Sequence, residues 1–140
     1  MTLHAIRLHP RQDLKAELDN WARAHDIEAA AVVTCVGSLQ RAVLRFANQA
    51  DGTVLEDKYE IVALTGTLAK YGSHFHIALS DGRGQTIGGH LLEGCRIYTT
   101  AEIVLAPLPE HRFLRLPDAA TGYEELYITP KQQKEDNHEY

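Results

Sequence analysis

"YGSHFHIALSDGRGQTIGGHLLEG", residues 71–94, decides the fold. "DGRG" at 81–84 is turn chemistry, and it separates two short apolar segments, "HFHIALS" and "QTIGGHLL", that read as the arms of a β-hairpin. On a strand, residues two apart share a face, so His74 and His76 present both imidazoles on one side while Phe75 and Ile77 point to the other. Counting outward from the turn pairs 76–80 with roughly 85–90 and returns His90 to the level of the first two histidines. Three neutral imidazoles with an open fourth position form a pattern suited to zinc, with bonds of about 2.0–2.1 Å, and the open position can take water, an anion or a substrate. Gly88 and Gly89 would let a bound group approach the backbone closely, although a glycine pair also simply makes a bulge. A single histidine here reads as an ordinary hydrogen-bonded residue; it is the third one, across the hairpin, that raises a metal or ligand site. Glu60, Glu93 and Glu102 are the carboxylates considered for a fourth ligand, each also readable as a solvated strand residue.

The segments on either side extend the strand pattern. Upstream, "KYEIVALTGTLAK" (58–70) alternates Tyr59, Ile61 and Ala63 against Val62 and Leu64. Downstream, "CRIYTTAEIVLA" (95–106) alternates Ile97, Thr99, Ala101, Ile103 and Leu105 against Thr100 and Glu102. "EAAAVVTCVGS" (28–38) is almost continuously apolar, which predicts a strand covered on both faces and ending at Gly37. "QRAVLRFANQADGTVLED" (40–57) then predicts a separate strand through Val43–Phe46, a turn at Asp51 and Gly52, and a return. "LHAIRL" (3–8) is a short strand. Between these, "PRQDLKAELDNWARAHDI" changes period: Leu14, Leu18, Trp21, Ala22 and His25 line one stripe opposite Arg11, Lys15, Asp19 and Arg23. That predicts a helix over about 11–25, with Pro10 in its first turn and His25 near its C-terminus. After Pro107, Pro109 and Pro117 the chain is expected to be irregular until a last strand, "YEELYI" (123–128). The expectation is an α+β domain over 1–130, a strongly curved, mostly antiparallel sheet packed with one principal helix, followed by a mobile polar tail at 131–140.

Composition narrows the function classes. The 140 residues are 44% apolar and carry a formal net charge of −5, which opposes the electrostatic attraction that drives non-specific nucleic-acid binding. Arg41, Arg45 and "HRFLR" (111–115) offer a local basic patch at most. Cys35 and Cys95 sit in apolar segments without Cys-x-x-Cys spacing and read as reduced core thiols. The N-terminus has no apolar leader and no apolar run is long enough for a bilayer, so a soluble, cytoplasmic protein without membrane contact is expected. "GRGQTI" has Ile87 where a dinucleotide fingerprint needs glycine, "GTLAKYGS" is not a phosphate-binding loop, and Ser38, Ser73, Ser80 and Cys35 lack a spaced base and carboxylate, so no catalytic residue is assigned.

Taken together, "RQDLKAELDNWARAHDIEAAAVVTCVGSLQRAVLRFA", "KYEIVALTGTLA", "HFHIALSDGRGQTIGGHLLEGC" and "TAEIVL" resemble the plants and prokaryotes conserved (PPC, DUF296) domain over about residues 3–130, in its stand-alone microbial form. The resemblance implies an α+β fold, similar to that of acetolactate decarboxylase, assembled as a homotrimer. In plants the domain follows AT-hook DNA-binding motifs and serves self-association and partner binding. This chain has no AT-hook, since its only Gly-Arg-Gly, at 82–84, falls in a turn. Stand-alone microbial members often carry histidines equivalent to His74, His76 and His90, which plant domains lack. Two readings follow: a trimeric zinc- or small-ligand-binding protein, and a transcription-associated interaction module that contacts DNA weakly or acts through partners.

Overall fold

The computed structural model describes residues 2–132; most of the tail expected at 131–140 lies outside them. Within that range one helix, α1 (Leu14–Ala24), accompanies nine strands: β1 (His4–Leu8), β2 (Ala30–Arg45), β3 (Thr53–Leu55), β4 (Tyr59–Ala69), β5 (Gly72–Ser80), β6 (Thr86–Leu91), β7 (Arg96–Pro107), β8 (His111–Pro117) and β9 (Glu124–Pro130). Seven of them form one sheet in the order β1-β7-β2-β4-β5-β6, with β3 beside β2, and every pairing is antiparallel. The far end of β2 pairs again with β6 through Leu44↔Leu91 and Arg45↔His90, which closes β2-β4-β5-β6 on itself. The curved α+β fold expected from the sequence is the one observed.

The helix is shorter than its apolar period suggests. Asp13 is the N-cap, its Oδ1 accepting from the Ala16 amide at 3.0 Å, and Arg11 sits at φ 74, outside helical geometry, so Pro10 precedes the helix instead of opening it. The other Asp13 oxygen accepts from the Gly94 amide at 2.6 Å and ties the helix start to the β6–β7 turn. His25 caps the C-terminus, its Nδ1 2.9 Å from the Trp21 carbonyl. Leu14, Leu18, Trp21 and Ala22 point into the barrel core with Leu39, Leu44, Leu68, Phe75, Leu91, Ile97, Ile103 and Leu105.

Three expectations are corrected. The break expected at Gly37 does not occur: β2 runs 16 residues because register shifts at Val32/Thr34, Gly37/Leu39 and Leu39/Arg41 bend it without ending the ladder. Gly37 is needed there for space, since a Cβ would collide with the Thr100 carbonyl. Nor is β2 covered on both faces, for Val33 and Val36 remain 54% and 56% exposed. The segment expected to be irregular after Pro107 contains β8, which pairs with β9 in a two-stranded sheet. Its Phe113 packs in a small cluster with Ala29, Ala69, Leu108 and Leu126.

Candidate metal centre

Strand parity and the β5–β6 register do for the histidines what the hairpin predicts. His76 stands directly opposite His90, Ile77 opposite Gly89 and Ala78 opposite Gly88, while His74 and His76 face Thr67 and Thr65 of β4. The ring centroids lie 4.8 Å apart for His74–His76, 5.1 Å for His74–His90 and 5.8 Å for His76–His90. One nitrogen from each ring falls within 4.8 Å of the other two, and Nε2 of His74 is 3.2 Å from Nε2 of His76. Two nitrogens bound tetrahedrally to zinc are separated by about 3.3 Å, so the first pair already has the required spacing and the third needs only a small ring movement. Among the described residues no carboxylate joins this group: Glu60, Glu93 and Glu102 stand outside it, Glu60 beside Ser80 and Glu102 beside Arg7 and Val36.

The surroundings of His74 and His90 disfavour their protonated forms. Burial pushes His90 down to about 4, helped by the Arg45 guanidinium and then by the other two rings and Lys15. Burial likewise lowers His74, reinforced by His76 and Arg115 and opposed by Glu125. A ring that resists protonation offers its lone pair to a cation, which is the state a metal requires. His74 and His90 are half-buried and His76 is exposed, so the cluster opens to solvent on one side.

Gly88 and Gly89 line a cavity of about 360 Å³ with Arg45, Phe46 and all three histidines. Their smallness is also structural: a Cβ on Gly89 would stand 2.9 Å from the Arg45 carbonyl across the β2–β6 seam, and one on Gly88 2.8 Å from the Ile77 carbonyl. A second cavity of about 450 Å³ shares Arg45, His74 and His90 with the first and adds Lys15, Ser73, Arg115, Tyr123, Glu124 and Glu125. Of these, Arg45 and Arg115 carry a sequence signal only as members of a scattered basic patch, and none of Arg45, Arg115, Lys15 and Glu125 has a local signal linking it to the histidines. The link is tertiary, made when α1, β2 and the β8–β9 sheet meet the start of β5.

A closed antiparallel sheet with one capping helix and three convergent imidazoles near an open cavity defines a small histidine-bearing β-barrel domain. The chain belongs to the Plants and Prokaryotes Conserved (PCC) domain family, which it matches over residues 1–109. A bifunctional protein GlmU from a Synechococcus strain is 52% identical over 130 residues, 93% of this chain; the chain spans only about a fifth (21%) of that relative's length. A hypothetical protein from Salmonella superposes with TM-score 0.92 at 38% identity, covering 94% of this chain and 95% of that one. A metal-containing protein from Archaeoglobus fulgidus superposes at 0.78 with 24% identity, covering 91% and 94%, and a candidate DNA-binding protein from Bacteroides thetaiotaomicron at 0.80 with 20% identity, covering 89% and 91%. The last two share the fold. No helix among the described residues is long and apolar enough to cross a membrane.

Proposed function

We propose that this protein binds one divalent metal, zinc, through His74, His76 and His90, leaves the fourth position open to a small ligand beside Gly88 and Gly89, and works as a homotrimer. The observation that carries the reading is the approach of three imidazole nitrogens to within 4.8 Å of one another, with burial holding two of the rings neutral. Neutral nitrogen donors at this spacing suit zinc better than calcium or magnesium, which select oxygen. The fold shared with a protein named as metal-containing agrees with it. When bound, such an ion would polarise a ligand oxygen or lower the pKa of a bound water.

The trimer rests on the family resemblance and on an exposed apolar face. Val36 on β2, Val62 on β4 and Tyr98 on β7 are 56%, 55% and 43% exposed, and each alternates with a buried neighbour, Cys35, Ile61 and Ile97, so all three point away from the core. Apolar side chains in the middle strands of a sheet are the kind of surface a second copy covers.

The competing reading, a DNA-contacting or partner-binding module, is favoured by the name of a structural neighbour. The net charge of −5 weighs against it for this chain. Calorimetric titration of zinc into chelator-treated, untagged protein separates the two. Saturable binding of one ion per chain, abolished in the His74→Ala/His76→Ala/His90→Ala variant, supports the metal reading; heats unchanged by that variant refute it.

A further inference from the structure

The larger cavity beside the triad carries more positive charge than the histidines need. Lys15, Arg45 and Arg115 all line it, each from a different element: α1, the end of β2 and β8. Their partners differ in a way that decides the chemistry. Lys15 is neutralised by Asp19 at 2.7 Å, and Asp19 is held in place by Ser73, whose hydroxyl donates to it at 2.5 Å. Among the described residues Arg115 donates only to the neutral Thr67 hydroxyl, at 3.1 Å. The Arg45 side chain has no hydrogen-bond or ion-pair partner among the described residues, and its charge is felt at both His74 and His90. The acidic groups of the same cavity, Glu124 and Glu125, form no ion pair with these two, although the Glu125 charge is also felt at His74. Glu124 is exposed, and the half-exposed Glu125 accepts a bond from Thr121 at 3.2 Å. Two guanidiniums without a carboxylate partner among the described residues leave N–H donors open to an anion in a concave site beside His74 and His90. A bound divalent ion ligated by neutral nitrogens keeps its full charge and adds to the same sign.

We infer that this cavity is the seat of a small oxyanion ligand, a carboxylate or phosphate compound whose anionic group is taken by Arg45 and Arg115 while a second oxygen reaches the triad. Guanidinium groups match carboxylate and phosphate through paired N–H donors, and burial of part of the site strengthens those bonds. The volume of about 450 Å³ suits a small molecule. A nucleic-acid backbone is the poorer fit, because a polymer needs a run of cations along an open surface, whereas these arginines line one cavity of an acidic protein. The second-oxygen contact rests on the metal reading above; the arginine contacts do not.

The test is calorimetry on the full chain with three probes: malonate, inorganic phosphate and a short DNA duplex. Each is titrated into zinc-loaded and chelator-treated protein, with bound zinc measured in parallel. The inference expects saturable binding of malonate or phosphate, and which of the two binds tells the carboxylate source from the phosphate one. Arg45→Gln and Arg115→Gln should each weaken it about tenfold or more, since a bond to a charged partner is lost, with zinc content unchanged. Arg45→Lys, which keeps the charge and loses the paired donors, should fall between wild type and Arg45→Gln and guards against a misfolded variant. Arginine-dependent anion binding in protein that takes up no zinc would uphold the anion seat and overturn the metal reading. Zinc uptake with no binding of either small anion, or binding indifferent to both arginines, would overturn the anion seat and leave the metal reading standing. Duplex binding that depends on Arg45, with neither small anion competing, would also overturn it in favour of a polymer.

Discussion

Replacing Val62 by aspartate tests the proposed assembly without touching the barrel core. Val62 is 55% exposed in the protomer, with Val36 and Tyr98 pointing outward from the neighbouring strands. Burying a whole valine side chain contributes about 1.5–3 kcal/mol, so covering the exposed half contributes about 1 kcal/mol per protomer. An aspartate at a covered position loses that and also places a carboxylate in an interface with no partner, which costs several kcal/mol. Together the change is about 3 kcal/mol or more per protomer, roughly a hundredfold or more in each association equilibrium. The fold of the protomer should survive, since within one copy the side chain meets solvent and the remaining cost is the lower strand propensity of aspartate, at most about 1 kcal/mol. Light scattering on a sizing column, at several concentrations, is the assay. Wild type should give the trimer mass throughout and V62D the monomer mass with an unchanged far-ultraviolet circular dichroism spectrum. A V62D trimer, or a wild type that is monomeric at every concentration, would refute the reasoning.

Burial sets the pH behaviour of the apoprotein. His90 titrates near 4 when folded and near the ordinary 6.5 when unfolded, so between these values the unfolded chain holds more protons and stability falls as pH drops from about 6.5 toward 4. Thermal melts of chelated protein should show this slope and His90→Ala should flatten it; equal slopes in both would contradict the placement of His90. The two thiols act at the other end. Burial raises Cys35 to about 12 and Cys95 to about 11, against an ordinary 9.0, so both should resist Ellman's reagent at pH 8 while the protein is folded. Because the folded state keeps protons that the unfolded state loses, stability should also decline as pH rises above about 9; rapid labelling of native protein would show the thiols to be accessible. DNA binding by the chain should be weak and should vanish as salt rises to physiological strength, and a sequence-specific nanomolar complex in a gel shift at that salt would show the charge argument to be incomplete.

The hairpin and its histidines were legible because both depend on period and turn chemistry alone: "DGRG" sets the register, and the register sets which rings meet. The helix stripe was legible for the same reason, but its start was not, since Asp13 caps by reaching both Ala16 and Gly94, a contact made 81 residues away. The sequence of β2 reads as two strands because bulges leave no local mark that separates a bend from an end. β8 is not legible because Pro107 and Pro109 before it and Pro117 at its end outweigh "HRFLR", and what holds it is Phe113 against Ala29 and Ala69 together with pairing to β9. The same limit hid the cationic cavity. Arg45 and Arg115 are 70 positions apart, and nothing in the period of either segment says that they face one pocket.

The central claim is that His74, His76 and His90 hold one divalent ion. Anomalous scattering measured at the zinc absorption edge from crystals of untagged, zinc-loaded protein tests it most directly. The account predicts one strong peak per chain at the convergence of the three rings, within about 2.0–2.1 Å of a nitrogen from each. A map with no peak there, while the rings keep the arrangement described above, would contradict it.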